Sequence, residues 1–179
     1  FPTFADMKKI IWIALALVGI AFAYLISQGL YRSVEVQTGE QGGMLLVGLD
    51  HTGPYYTIGD VFESLRSEGG DAEFVGVYFD DPEVVPEDSC RSFAGWIVPS
   101  TAAGLEAMGR NHKLRMLPIE RRPSTYCDWE GSGMVNSLLG TFKAYPALGE
   151  AAAQLGWSGE DVIAYEHYTD GSTRFVMQY

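Results

Sequence analysis

From Ile10 to Leu30 the chain carries no charged residue. As a helix rising about 1.5 Å per residue, such a run is about 30 Å long, the thickness of a bilayer's hydrocarbon core. A helix that is apolar on every side must be covered on every side, so the run predicts a transmembrane helix over residues 10–31, after a tail of residues 1–9. Trp12 near one end, and Tyr24 and Tyr31 towards the other, suit the two interfacial belts. A signal peptide is the competing reading, but its apolar stretch is shorter and followed by a small-residue cleavage site, so an uncleaved anchor is expected. Lys8 and Lys9 precede the run and only Arg32 follows closely. The positive-inside rule then leaves the N-terminus in the cytoplasm and the soluble part in a periplasm or its equivalent. Ala14, Gly19 and Ala23, with Ala16, keep the helix slim, as helix–helix packing in membranes requires. Expected partners are therefore other membrane-protein subunits and the bilayer itself. A mature type IV pilin would also begin with Phe, but Lys8 and Lys9 interrupt its helix and position 5 is Ala. Met7-Lys8-Lys9-Ile10 reads instead as a bacterial start.

The formal charge of −11 argues against a nucleic-acid partner, whose phosphates call for a basic surface. It equally disfavours electrostatic docking on anionic lipid. The one basic cluster, Lys113, Arg115, Arg121 and Arg122, reads as a solvated strand face. Cys90 and Cys127 fit no metal motif, and their spacing leaves a single disulfide open. His51, His112 and His167 are scattered, so neither a metal nor another cofactor is expected.

The soluble part is read around Glu73–Val98. Two runs rich in aromatic and β-branched residues, 73–79 and 93–98, flank a loop fixed by Asp81-Pro82, Pro86 and Asp88. Tyr78, Phe79, Phe93 and Trp96 beside an acidic loop suit either an ordinary hairpin core or the wall of a small-molecule pocket.

Residues 32–43 are expected to hold a short strand, 33–37, and a glycine-loosened link, with the domain proper over 44–179. Residues 44–49 form a strand and 50–54 a turn. A helix begins at an N-cap Thr57, buries Ile58, Val61, Phe62 and Leu65, and stops at Gly69-Gly70. After a helical piece over 101–108 the order recurs. Strands cover 114–118 and 121–129, and Gly131-Ser132-Gly133 turns. A helix buries Val135, Leu138, Leu139 and Phe142, is interrupted or restarted at Pro146, and carries its stripe on through Leu148, Ala151, Ala152 and Leu155 to Gly156. A hairpin over Asp170-Gly171 joins strands 161–169 and 172–179. The fold class is therefore α+β, a duplicated β-α-β-β unit whose antiparallel sheet carries two helices. In the penultimate strand Val162, Ala164, Glu166 and Tyr168 share one face. Glu166 is either a carboxylate in an apolar pocket or a solvent-facing strand charge.

The runs DHTGPYYTIGDVFESL, VYFDDPEVVPEDSCR and AYEHY resemble the GyrI-like domain family. The resemblance is nearest to a membrane-anchored branch that includes a testis-expressed ER-phagy receptor, and it covers about residues 34–179. It implies a ligand cleft between the halves, taking amphipathic or cationic small molecules through aromatics and one glutamate. By motif position that glutamate is Glu166, with Tyr168 beside it and Tyr78 and Trp96 as walls. Some relatives hydrolyse strained electrophiles, which would make Glu166 catalytic. The receptor's long tail with its autophagy motif has no counterpart after Tyr179, so that function is not implied. The expected functions are, in order, a membrane-anchored binding or scaffolding module serving as accessory subunit of a membrane complex, a hydrolase of reactive small molecules, and a small-molecule sensor.

Overall fold

The computed structural model describes residues 4–131, 133–157 and 162–179. The apolar run forms helix α1 (Phe4–Ser27), starting before residue 10 and ending before Leu30. Its window Met7–Ser27 is long and apolar enough to cross a membrane, and none of it is buried against the domain. Gly29, at φ +100°, ends it. The Gly29 N–H bonds the carbonyl of Ile26 and the Leu30 N–H that of Leu25, the paired bonds of a Schellman motif. The chain needs glycine there for a second reason, since a Cβ would lie 3.0 Å from Trp129.

Beyond it come β1 (Gln37–Gln41), β2 (Met44–Thr52), α2 (Ile58–Gly69), β3 (Phe74–Tyr78), β4 (Arg91–Val98) and α3 (Thr101–Arg110). Then follow β5 (Arg115–Ile119), β6 (Arg122–Glu130), α4 (Met134–Gln154), β7 (Ile163–Thr169) and β8 (Ser172–Gln178). All eight strands form one antiparallel sheet in the order β1-β6-β8-β7-β3-β4-β2-β5. The duplicated α+β unit is thus present, with one addition. The strand preceding each unit crosses over: β1 pairs with β6 of the second unit, and β5 with β2 of the first. Exchanging the units reverses the strand order onto itself, so the sheet has an internal pseudo-two-fold axis between β3 and β7. The Gln178 side chain ties both crossovers, donating to the carbonyls of Gln41 and Glu120.

Several local expectations give way. Residues 33–36 are not a strand; Val34 and Val36 pack beneath α4, and pairing starts only at Gln37. The expected turn over 50–54 is mostly strand, because β2 stays paired with β4 up to Thr52. The Thr57 hydroxyl does not cap α2. It donates to the Pro54 carbonyl and meets His51 Nε2. Helix α4 runs unbroken through Pro146. Of the expected stripe it buries Leu148 and Ala152 but not Leu138, Phe142 or Leu155; the buried residues form a four-spaced row, Asn136, Gly140, Ala144, Leu148 and Ala152. Small residues are required there because Trp129 and Phe175 stand directly below; a Cβ on Gly140 would sit 2.9 Å from Trp129. Gly156 ends α4 as expected, in a second Schellman pair with Trp157. Ser132 and Asp161 lie outside the described residues. Cys90 and Cys127 are both free and buried.

Both faces of the sheet are apolar. On one, α2 and α3 cover Val47, Ala94 and Trp96, while α4 covers Cys127, Trp129 and Phe175. On the other, the sheet curls around Leu46, Val75, Val77, Phe93, Tyr165 and Val176. Residues directly opposed in an antiparallel pair share a face, so the helical face consists of cross-strand rows. The central row reads Leu49, Ala94, Gly76, Glu166, Phe175 and Cys127.

Candidate functional site

A carboxylate sits in the middle of that row, at the pseudo-two-fold axis. Glu166 opposes Gly76 across the β3–β7 junction and is only 7 % exposed. Its neighbours along the row, Ala94, Gly76 and Phe175, offer it no polar partner from the sheet floor. The partners come from above and beside. Tyr145 of α4 donates to Oε1 at 3.1 Å, and Tyr78 of β3 donates to Oε2 at 3.3 Å. Tyr168 of β7 donates to Oε2 as well, over a short contact. Tyr78 and Tyr168 each stand two residues beyond the central Gly76/Glu166 pair. Each unit therefore contributes an equivalent tyrosine to one shared carboxylate.

The glycine opposite Glu166 makes this geometry possible. The Tyr78 ring folds back over Gly76, where a Cβ would meet the Tyr78 hydroxyl at 3.1 Å and Phe62 at 3.3 Å. Aromatic edges close the rest. Phe62 of α2 meets Tyr168 edge-on at 5.4 Å, Tyr55 meets Tyr78 at 4.8 Å, and Tyr145 meets Phe175 at 5.7 Å. These are the T-shaped contacts that aromatic quadrupoles favour.

Burial pushes the Glu166 carboxyl above its ordinary value, and the hydroxyls of Tyr168, Tyr145 and Tyr78 offset part of that. Burial first, and then the charge of Glu166, holds Tyr78 and Tyr145 well above the usual phenol range. Tyr168 is raised in the same direction, chiefly by burial. The cluster thus has a single ionisable acceptor surrounded by neutral donors.

Of the residues singled out from the sequence, Glu166, Tyr168 and Tyr78 come together. Trp96 stands elsewhere, two strands from β7, packed against Phe74 and under Gly69 of α2. Tyr145, Phe62 and Tyr55 were not singled out. Their signal would have been that a buried tyrosine hydroxyl needs an acceptor, which at Tyr145 is the glutamate. Ala14, Gly19 and Ala23 lie on the exposed length of α1, and no atom of the domain lies within 4 Å of a Cβ built on Gly19.

The acidic loop has a structural role. Asp80 takes three hydrogen bonds from the Arg91 guanidinium, two of them shared by Nε, and one from the Arg91 N–H, and Tyr55 donates to the Asp80 carbonyl. The Arg91 pair holds the Asp80 carboxyl below its ordinary value. Two depressions lie away from Glu166. One of about 200 Å³ is lined by Phe79, Leu117, Ile163 and Gln178; an open one of about 620 Å³ lies beside Asp128, His167 and Arg174.

No protein-family model matches this sequence, and no curated protein matches it. Solved structures do match the fold. An integron cassette protein from the mobile metagenome of Vibrio cholerae superposes with TM-score 0.55 at 7 % identity, over 82 % of this chain and 97 % of its own. The C-terminal domain of EcmrR gives 0.54 at 11 %, over 81 % and 96 %. A hydrolase from Listeria innocua gives 0.52 at 9 %, over 83 % and 94 %. At such identities the likeness is one of fold, and the fold is GyrI-like.

Proposed function

We propose that the chain is a membrane-anchored GyrI-like binding module whose cleft takes an amphipathic cation on Glu166. The observation that carries this is the buried carboxylate held by three tyrosine hydroxyls under an aromatic cover. A ligand must displace those donors to reach Glu166. A neutral molecule would leave a buried carboxylate poorly satisfied, at a cost of several kcal/mol. A cation replaces the lost hydrogen bonds with charge, and the freed tyrosine and phenylalanine rings then offer it their negative faces. Full-length protein in nanodiscs should bind benzyltrimethylammonium, read by intrinsic fluorescence. Glu166→Gln should weaken binding at least tenfold, on the order of 1.4 kcal/mol. Equal binding by the two proteins would overturn the assignment.

The anchor is part of the proposal. Spanning the bilayer, α1 would leave the domain on the extracytoplasmic side, by the charge bias of Lys8 and Lys9. Its slim face at Ala14, Gly19 and Ala23 would meet another membrane helix in a complex to which this chain is an accessory subunit. That arrangement, anchor then domain, is also that of the membrane-anchored branch named above. The test is gentle-detergent purification from the native source, where a stoichiometric partner should co-elute.

A further inference from the structure

The join between α1 and the domain is rigid and short. Lys143 of α4 reaches the carbonyls of Leu30 at 2.6 Å and Arg32 at 2.7 Å, and Asn136 donates to the Gln28 carbonyl at 2.9 Å. The Arg32 guanidinium lies 5.0 Å over the Trp129 ring and donates to the Glu130 carbonyl. Tyr31 turns back along α1 to meet Phe22 edge-on at 6.3 Å. The first residues after the helix therefore run beside its last turns, and α4 is bonded to them directly.

That fixes where α4 sits if α1 spans a bilayer. A headgroup layer is about 5–8 Å thick on each side of the hydrocarbon. Leu138 precedes Lys143 by five residues, about 7.5 Å along the helix axis. The start of α4 thus lies at the depth of the lipid–water interface. There it exposes two large apolar side chains one turn apart, Leu138 at 54 % and Phe142 at 70 %. The same exposed ridge continues through Pro146 to Glu150, so it becomes polar as it leaves the collar. Tyr31, on the segment that α4 bonds, is 71 % exposed as well.

Resting on the reading of α1 as a membrane span, we propose that Leu138 and Phe142 form a foot buried in the interfacial layer of the bilayer that α1 crosses. The occupant is lipid, because Asn136 and Lys143 bond the residues that directly follow α1, which sets this ridge at the depth where α1 leaves the bilayer. Arg32 and Lys143 stand where basic groups reach the interface in other membrane helices. The foot holds the domain in one orientation on the membrane, with α4 and its Tyr145 beside the surface.

The test uses the full chain in phosphatidylcholine liposomes, with a nitroxide on a single introduced cysteine. Cys90 and Cys127 are buried and burial raises both thiols, so they stay unlabelled. Labels at Leu138→Cys and Phe142→Cys should collide severalfold more with oxygen, relative to a water-soluble nickel chelate, than a label at Val84→Cys in the exposed β3–β4 loop. A label at Val18→Cys reports the span itself. If Val18 reads as lipid while 138 and 142 match Val84, the foot is wrong and the span stands. If Val18 also reads as water, the span fails first. If 138 and 142 are shielded from both reagents, a protein covers the ridge and the lipid assignment is overturned.

Discussion

Glu166 is held by donors alone. Three phenols converge on its two oxygens from β3, β7 and α4, and the sheet beneath supplies alanine, glycine and phenylalanine. Its carboxyl is raised above the ordinary value near 4.5, and the sign of the consequence follows. The folded protein holds this proton to a higher pH than the unfolded chain does. The associated stability is therefore complete below pH about 4.5 and is lost as pH rises through the folded value. Glu166→Gln removes that titration. Between pH 5 and pH 8, wild type should lose more of its urea midpoint than the variant, all other titrating groups cancelling in the difference. A parallel pH dependence for both proteins would mean that Glu166 is already ionised throughout. From sequence, period-two alternation put Glu166 and Tyr168 on one face, and Tyr78 came from its aromatic-rich run. Tyr145 stayed hidden because a helix surrounds each position with six or seven candidates for the inward face, and its neighbours Leu138 and Phe142 looked the more apolar.

Those two residues show what pattern reading misses at the level of an element. In α4 the large side chains of Leu138 and Phe142 point outward, and the buried row is Asn136, Gly140, Ala144, Leu148 and Ala152. An apolar stripe read by size finds the wrong face whenever the opposing sheet carries bulk, as Trp129 and Phe175 do here. Strands and helix stops, by contrast, were legible: Gly70 and Gly156 take positive φ where α2 and α4 end. Gly29 was missed because the apolar run continues through it to Leu30. The collar it begins depends on Lys143, whose ammonium donates to the carbonyls around it and also lies 5.9 Å from the Trp129 ring. Lys143→Met keeps the aliphatic stem but strips those donors, at a cost of about 1–3 kcal/mol of local stability. The Arg32–Ser33 bond should then be cut by trypsin markedly faster in the variant than in wild type. Equal cleavage would show that Trp129 and Asn136 hold the collar without the lysine.

For the whole molecule the decisive feature is the exchange of β1 and β5 between units. The repeat itself could be read from the order of elements, but the exchange could not. It depends on pairings such as Gln37 with Tyr126 and Leu45 with Pro118, and nothing in either short strand names its distant partner. The consequence is cooperative. Opening the second unit strips β1 from β6, and β1 leads directly into β2 of the first. The Gln178 side chain binds both crossovers, and Glu166 draws a tyrosine from each half. Neither unit has a complete sheet edge without the other. Native-state hydrogen exchange in mild detergent should therefore give the slowest amides of β2–β4 and of β6–β8 the same opening free energy, rising and falling together with denaturant. A gap larger than about 1 kcal/mol between the two sets would mean that the halves open independently. The exchanged strands would then be surface additions, and the aromatic cover over Glu166 could open by separating the units. A common value would confine any uncovering of Glu166 to smaller movements, of Phe62, Tyr78 and the facing edges of α2 and α4.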